Sequence, residues 1–453
     1  MQIFFFGFFA ILSGMKEEKR RGRWYKRGMR TEEMFHELLG LGQDWEVYEC
    51  SFDKVEGIHL RIREKAHLWE HIRCPRCGKK ATCYDHTQEL SWRHLNVFEY
   101  RCQISCLLPR GRCSDDSCHH TFRVSAPWEG LSMHFTQGFE AFALLLMREM
   151  PVKKAAELLG EQDTRLWRIL EKHVEASREQ QDYSNVKVLG VDEMNIRKGH
   201  SYISVFADLF RKRVLYATEG KDAATWARFS IELQEHKGNP DAITLVSMDM
   251  SPAYQCGARN YCQLAQIVFD KFHVIKQVNE AVDKIRRTEM RWWKDGYETL
   301  KKSRWIWLKN PENLTLKEQV QMGKLQEKKL YTAKAYQMKL YLQDIYTQTS
   351  EETARKKFRF WCRWVRLVHR SIKSGILEPM RKVAQMIENH LEGILAYWKT
   401  QTTNAFMEAI NSVFSAIKRR ARGFRSISYL TTMLYFLFGK LTIPAFPLLF
   451  HSK

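Results

Sequence analysis

The sequence has no internal repeat and no low-complexity tract, which excludes solenoid and compositionally biased architectures. It has no apolar run able to cross a bilayer, which takes roughly 20 residues. The longest such run, MQIFFFGFFAILSG at the N-terminus, is too short and lacks the basic segment that precedes the apolar part of a signal peptide. No HExxH set is present, so the usual zinc-hydrolase pattern is missing. Acidic residues are in deficit, with 52 Asp and Glu against 73 Lys and Arg, for a net charge of +21. A balance this basic points to a polyanionic partner, nucleic acid first.

What is there suits a multi-domain globular chain. Its 453 residues suggest two to four domains, and 44% apolar and 13% aromatic residues are enough for sizeable cores. Of the eleven cysteines, seven fall between Cys74 and Cys118. A disulfide ladder belongs to short secreted chains, so reduced thiols and a metal site in the cytoplasm fit better. The apolar N-terminus leaves three readings open: a start codon assigned too far upstream, a packed or floppy helix, or a membrane anchor. Met29 and Met34 are sensible alternative starts, because amphipathic sequence (EEMFHELLGL) begins there. Residues 1–28 are therefore expected to be a non-native or disordered extension.

Residues 29–70 mix a short helix with alternating, strand-like sequence, EVYECSFDKVEGIHLRIRE. Residues 134–182 read as helices. From Lys187 the pattern turns to β: KVLGVDE, SYISVFADL and RVLYATEG are short strands rich in Val, Ile and Tyr. A helix (DAATWARFSIELQEH), a strand (ITLVSMDM), a short helix (SPAYQCGARNYC), a strand (QIVFD) and a long helix (HVIKQVNEAVDKIRR) follow. To about Lys399 the chain is helical, charged and poor in Gly and Pro, and a last helical section starts near Thr403. Three strands, helix, strand, helix, strand, helix is the order of an RNase H-like α/β domain.

Three acids stand out. Asp192 and Asp249 each end an apolar strand, where a carboxylate is costly unless paired or bound to metal. On neighbouring strands they would repel unless divalent cations sat between them, and Mg²⁺ suits one or two carboxylates with water and phosphate as other ligands. The competing reading makes each a turn or helix cap. Glu408 lies in TTNAFMEAINSVFSAIKRRARGF. On a helical wheel Phe406, Ile410, Val413 and Ile417 fall opposite it, with Ala405, Met407, Ala409, Phe414 and Ala416 widening that arc. The remaining stripe, Asn404, Glu408, Asn411, Ser412 and Ser415, carries one charge among amides and hydroxyls, unlike an ordinary solvated face. Glu388 and Glu392 are the alternatives by position.

Cys74-Pro-Arg-Cys77-Gly has the form of a zinc knuckle, and Cys113 with Cys118 supplies a second pair. Four thiolates suit tetrahedral structural Zn²⁺. The insert LSWRHLNVFEYRCQISCLL alternates like a hairpin and extends the ribbon without separating its ends. Cys83, Cys102, Cys106, His119 and His120 are possible substitutes. PVKKAAELLGEQDTRLWRILEKH reads as helix, turn at Gly160, then a helix capped by Asp163 or Thr164 and carrying Arg165, Arg168 and Lys172. DNA recognition and plain helix-hairpin packing both fit. The run Lys418, Arg419, Arg420, Arg422 and Arg425 continues the Glu408 helix, beside any phosphate held at the carboxylates.

These pieces resemble the insertion-sequence transposases of the ISL-three (ISL3) family from about Met34 onward. The resemblance rests on CPRCG, CSDDSC with HHTF, VKKAAELLG, GVDE with RKGHSY, SMDMSPAY, FDKFHVIKQVNEAVDKIRR and TTNAFMEAINSVFSAIKRRARGF. It implies a DDE transposase whose RNase H-like core is interrupted by a helical insertion and preceded by a zinc ribbon and a helix-turn-helix. The implied layout is a zinc ribbon over 71–125, a helix-turn-helix over 134–182, the core over 186–285 and 402–440, and the insertion over 286–401. The triad carried over is Asp192, Asp249 and Glu408. Val413 and Ser415 stand where that helix usually carries lysine.

The enzyme expected is one that cleaves DNA at the element's inverted repeats and joins the new 3′-OH to target DNA. It would use two Mg²⁺ or Mn²⁺ ions, as a homodimer or higher oligomer on DNA, in the bacterial cytoplasm with no membrane partner. The rival is a non-catalytic zinc-ribbon and helix-turn-helix regulator derived from such an enzyme. The presence of all three acids separates the two. A zinc-dependent hydrolase is a distant third, for want of its ligand set.

Overall fold

The computed structural model describes residues 18–20, 23–25, 29–197, 201–292, 295–372 and 374–444. The expectation for residues 1–28 thus lies almost entirely outside the described residues, which there comprise only a short antiparallel pair, β1 (Glu18–Arg20) and β2 (Arg23–Tyr25). Among the described residues no helix is long and apolar enough to cross a membrane. The chain divides into two compact units, one running to His173 and joined by the last residues from Ile443, the other spanning Val174–Thr442.

In the first unit helix α1 (Thr31–Leu39) ends at Gly40, in the left-handed region at φ 62°. A five-stranded sheet follows: β3 (Trp45–Asp53), β4 (Gly57–Glu64), β5 (Ala81–Val97), β6 (Tyr100–Cys113) and β7 (Thr121–Arg123), in the order β3-β4-β6-β5 with β7 also on β6. A one-turn helix, α2 (Leu68–His71), joins β4 to the ribbon. The long β5–β6 hairpin is the predicted insert. Because β4 pairs with β6 in parallel, Ile58 to Ile62 against Cys102 to Cys106, the N-terminal strands and the ribbon share one sheet. Their core is aromatic: Trp128 meets Trp45 and Trp92 edge-on at 5.1 and 5.8 Å. Such pairs add about 0.5–1.5 kcal/mol each beyond their burial.

Three helices follow, α3 (Gln137–Glu149), α4 (Val152–Leu159) and α5 (Asp163–Glu179), the last of which runs past His173 into the second unit. Thr136 caps α3, and Gly160 at φ 66° ends α4. The second helix of the predicted pair starts at Asp163 itself, and Gln162 stands at the cap position, its carbonyl accepting from the Arg165 N–H. Asp163 is thus a first-turn acid, favourable to the helix dipole, and not the cap.

The second unit is built on a five-stranded sheet of order β10-β9-β8-β11-β12. Strands β8 (Val188–Arg197), β9 (Ser201–Asp208) and β10 (Arg213–Glu219) form an antiparallel meander. β11 (Leu245–Met248) joins β8 in parallel, and β12 (Gln266–Phe269) joins β11 in parallel. Helix α6 (Ala223–Glu235) makes the crossover to β11, and α7 (Pro252–Tyr261) the crossover to β12. Phe206 of β9 stacks on Phe229 of α6 at 4.3 Å, in the core beneath the sheet. This order and polarity are those of an RNase H-like core.

Helix α8 (Lys271–Trp292) leaves β12 and enters an all-helical section: α9 (Gly296–Leu300), α10 (Arg304–Leu308), α11 (Leu316–Gln326), α12 (Tyr331–Ile345), α13 (Glu351–Ser371), α14 (Glu378–Asn389) and α15 (Leu391–Thr400). Its buried residues, Trp307, Phe358 and Trp361 among them, form one continuous cluster with those of the sheet. The chain returns as α16 (Ala405–Arg420) and α17 (Ile427–Phe438). Tyr435 of α17 ties this return to β10, its hydroxyl accepting the Ala217 N–H at 2.8 Å.

Candidate active site

Strand register sets the site. Ser247 of β11 lies opposite Gly190 of β8, and Met248 lies opposite Phe269 of β12. Carried to the strand ends, the same offsets place Asp249 level with Asp192 on one side and with Asp270 on the other. In parallel strands level residues point to the same face. Three carboxylates therefore stand abreast where β11 and β12 end, the edge at which open α/β sheets bind ligands. Asp192 does not end its strand as expected but lies within β8, which runs on to Arg197 because it stays paired with β9.

Asp192 is the most enclosed acid of the predicted triad, 6% exposed. One of its oxygens accepts the Glu193 N–H at 2.8 Å and the other accepts the Asn411 side-chain amide at 2.7 Å. Burial pushes its carboxyl up to about 6. His273 and the Glu193 N–H pull it down, while Asp249 and Asp270 push it further up. Asp249 accepts the Ser251 N–H at 2.9 Å, ahead of Pro252 at the first turn of α7. It is thus also the turn-former of the competing reading, through Oδ1.

Glu408 is half-buried on α16, and its carboxyl is raised by burial and then by Asp270, with His273 acting in opposition. The alternatives for a third acid are occupied elsewhere: Glu388 pairs with Arg366, and Glu392 with Arg355. The buried side of α16 is narrower than the wheel suggests. Met407, Ile410 and Phe414 are buried, whereas Ala405, Ala409, Val413 and Ala416 are exposed. One row at i, i+3, i+7 is enough to seat the helix, because Gly190 lets it approach closely. A Cβ there would lie 3.2 Å from Met407 and 2.5 Å from Leu209.

Sequence reasoning missed Asp270, His273 and Asn411. Asp270 is 4% exposed and accepts from His273 Nδ1 at 3.2 Å, while His273 Nε2 stands 3.9 Å from Asp192. Burial disfavours charge on His273, but the Asp270 hydrogen bond and the charges of Asp192, Asp270 and Asp249 outweigh it and raise its pKa. Asp270 ends an apolar strand as Asp249 does, so the rule that selected Asp249 applied here also. A groove of about 520 Å³ opens beside Asp249 and His273, lined by Lys284 of α8 and by Lys382 and Met386 of α14.

The predicted basic residues behave differently from one another. Lys418 donates to the carbonyls of Asn195 and Ile196 at 2.8 and 3.2 Å, locking α16 to the end of β8. Arg419 and Arg420 are exposed on the last turn of α16. Arg422 and Gly423 adopt φ 57° and 98°, so the basic run does not continue the helix as expected: it reverses, and Phe424 stacks on Phe414 at 5.8 Å. Glycine terminates a helix in this way by freeing its last carbonyls to accept from the turn. In the other unit Arg165 is engaged, paired with Glu161 at 2.5 Å and lying over the Phe135 ring at 4.4 Å, while Arg168 and Lys172 are exposed.

Cys74, Cys77, Cys113 and Cys118 form one cluster, with sulfur separations of 3.9 Å for Cys74–Cys118 and 3.3 Å for Cys77–Cys113. Zn–S bonds of about 2.3 Å at tetrahedral angles require about 3.8 Å between sulfurs. Gly78 at φ 73° closes the first knuckle. Burial opposes charge on Cys74, but N–H groups of Cys77 and Arg76 and the neighbouring thiols bring it down to about 7. Despite the Asp115 N–H, burial and those same thiols push Cys113 up to about 12. Four such thiols do not all ionise without a cation among them. The suggested substitutes do other things: Cys102 and Cys106 are buried in the sheet core, His120 stacks on Phe122, and Cys83 lies in a different cluster.

Comparison with known proteins gives the same outline. A transposase family model for ISL3 matches residues 189–434. A model for the helix-turn-helix domain of transposase family ISL3 matches 134–174, and one for the zinc-finger of transposases IS204, IS1001, IS1096 and IS1165 matches 70–118. The transposase for insertion sequence element IS1001 of Bordetella parapertussis is 27% identical over 402 residues, covering 87% of this chain and 95% of the relative. The transposase for insertion sequence element IS1557 of Mycobacterium tuberculosis (strain ATCC 25618 / H37Rv) is 24% identical over 435 residues, covering 88% and 93%.

Proposed function

The chain belongs to the ISL3 family of transposases, and from that premise we propose that Asp192, Asp249 and Glu408 are the acids of its DNA cleavage and strand-transfer site. The carrying observation is the placement of Asp192 and Asp249 abreast on neighbouring parallel strands, with α16 bringing Glu408 to the same acidic group and Asn411 gripping Asp192.

The donor set fits divalent ions of the Mg²⁺ or Mn²⁺ type. All the donors of the triad are carboxylate oxygens, and Asp192 is held above its ordinary pKa by burial first and then by Asp249 and Asp270, a combination that a bound cation would relieve. The three do not close on one point. Among the described residues the groups whose donor atoms lie within 4.8 Å of one another are elsewhere. A spread set suits two ions roughly 4 Å apart better than one. When bound, such a pair lowers the pKa of a water or 3′-OH and steadies the departing oxygen of an in-line displacement. The chain's own residues orient the site: Asn411 and the Glu193 N–H fix both oxygens of Asp192, Ser251 fixes one of Asp249, and Asp270 aims His273.

The substrates on this reading are the element's inverted repeats and target DNA. Lys284 and Lys382 line the groove beside the acids, and Arg419, Arg420, Arg422 and Arg425, which follow Glu408 on α16 and the turn after it, are the further phosphate contacts on this reading, with Lys418 as anchor. Arg168 and Lys172 are the stronger candidates on α5, since Arg165 is already paired. Cys74, Cys77, Cys113 and Cys118 hold one structural Zn²⁺ as ligands. The protein acts in the cytoplasm, as a homodimer or higher oligomer on DNA.

The test is cleavage of element-end DNA by Asp192→Asn, Asp249→Asn and Glu408→Gln. Each should abolish cleavage and joining, and the triple variant should be no worse, because groups acting as one unit are non-additive. DNA binding should persist. A Glu408→Gln protein that still cleaves in Mg²⁺ places the third acid elsewhere.

A further inference from the structure

Cys83 stays outside the four-thiol cluster and falls instead beside Glu64 and His86. β4 and β5 lie on either side of β6. Cys83 and His86 are three apart on β5, and on a regular strand residues three apart face opposite sides. The β5–β6 register slips between Cys83 and Asp85, and a bulge of this kind shifts the alternation by one. It brings Cys83 and His86 onto one face, and Glu64 comes from the end of β4 to meet them. His86 Nε2 lies 2.6 Å from Glu64 Oε1, and one donor atom from each of the three residues falls within 4.8 Å of the others. Asp85 is paired with Arg110. The side chain of Glu64 is 15% exposed and that of His86 40%, while Cys83 is exposed, so the cluster is open on one side.

We propose that Glu64, Cys83 and His86 form a second metal site, separate from the four-thiol cluster, which takes a zinc-class divalent ion through a carboxylate oxygen, a thiolate and an imidazole nitrogen and leaves a fourth position to solvent. The donor chemistry selects the ion: thiolate and imidazole favour zinc over magnesium or calcium. One thiolate and one carboxylate balance two positive charges. The ion displaces the Cys83 thiol proton to solvent and replaces the His86–Glu64 hydrogen bond, whose partners spread by roughly 0.7 Å to reach tetrahedral ligand spacing. Three protein ligands and an exchangeable fourth place describe an open site, unlike the closed site of four thiols.

Asp44, His67 and His71 form another three-ligand group. There Asp44 already joins both rings, at 2.7 and 3.0 Å, and no thiol is present. That group is the control.

The experiment uses the full chain with its tightly held zinc in place. Alkylation of Cys83 by iodoacetamide is followed by peptide mass spectrometry, with and without micromolar Zn²⁺. Zinc should slow alkylation at least about tenfold, because the bound thiolate is no longer a free nucleophile, and Mg²⁺ should not. Elemental analysis at micromolar free zinc should give about two zinc ions per chain, falling to about one in Cys83→Ser and His86→Ala. Retention of the tightly held ion in those variants shows that the ribbon is folded. His86→Ala should also abolish the protection of Cys83. Alkylation indifferent to zinc overturns the proposal, as does a second zinc ion that survives Cys83→Ser and leaves only with His67→Ala.

Discussion

The side-chain amide of Asn411 donates to the free oxygen of Asp192 at 2.7 Å, across 219 residues of chain. That bond joins the helix carrying Glu408 to the strand carrying Asp192. Among the described residues Asn411 makes no such bond to the other acids of the triad, so on the proposed reading it is a positioning residue.

Asn411→Ala should therefore lower cleavage of element-end DNA about 10- to 100-fold, the usual cost of losing a partner that orients a metal-binding carboxylate. The loss should shrink when Mg²⁺ is replaced by Mn²⁺, which binds tighter, and the melting temperature should change little. Equal cleavage rates in the variant and the parent protein would remove Asn411 from the site.

The raised carboxyl of Asp192 sets a stability profile. Its pKa is 3.8 when exposed and about 6 in the fold. The folded state therefore binds the proton more tightly, and stability from this group is full below pH 3.8 and lost as pH rises to about 6. At pH 7 the ionised, buried group costs the metal-free protein on the order of 3 kcal/mol. Asp192→Asn should raise the melting temperature of metal-free protein at pH 7, and it should cut the further rise seen on adding Mg²⁺. Calorimetry at pH 7 and pH 5 checks both: the advantage of the variant should shrink at pH 5. A variant melting below the parent protein at pH 7 would contradict this account.

Gly190 is required by the close seating of α16 on β8. Gly190→Ala places a methyl carbon 2.5 Å from Leu209 and 3.2 Å from Met407. Overpacking of this kind costs about 1–3 kcal/mol. Because the clash pushes on the Glu408 helix, activity at a temperature where the variant stays folded should fall further than stability alone explains. Cleavage assays beside thermal melts would separate the two effects, and proportional losses would count against the placement.

Two basic surfaces should differ in what they do. Replacing Arg168 and Lys172 together should weaken binding to element-end DNA and reduce the log–log salt slope by about 0.9 for each phosphate no longer neutralised. Arg165→Ala should instead act mainly through the fold, since it removes a pair with Glu161 and a ring contact. Titrations at several salt concentrations distinguish them. An unchanged slope in the Arg168/Lys172 variant would leave α5 as ordinary helix packing.

Periodicity and composition made a large part of this protein legible. The strands around Asp192 and Asp249, the crossover helices and the long helical section all carry a strong apolar period, and a local period survives in one dimension. The four thiols are legible because a zinc knuckle is a local loop with its own spacing. What the sequence alone could not decide is register. Asp270 ends its strand as plainly as Asp249 does, but only the parallel pairing of β11 with β12 shows that the two stand level. Likewise Asn411 reads as one amide in a polar stripe until α16 is set on β8, and Lys418 reads as a phosphate contact until its ammonium reaches two carbonyls of β8. The sharing of one sheet by the N-terminal strands and the ribbon, and the meeting of Glu64 with His86 across β6, are pairings of the same kind. Local patterns follow from backbone geometry within a few residues. Contacts between distant segments depend on which faces are buried together, and that was settled only when the chain had packed.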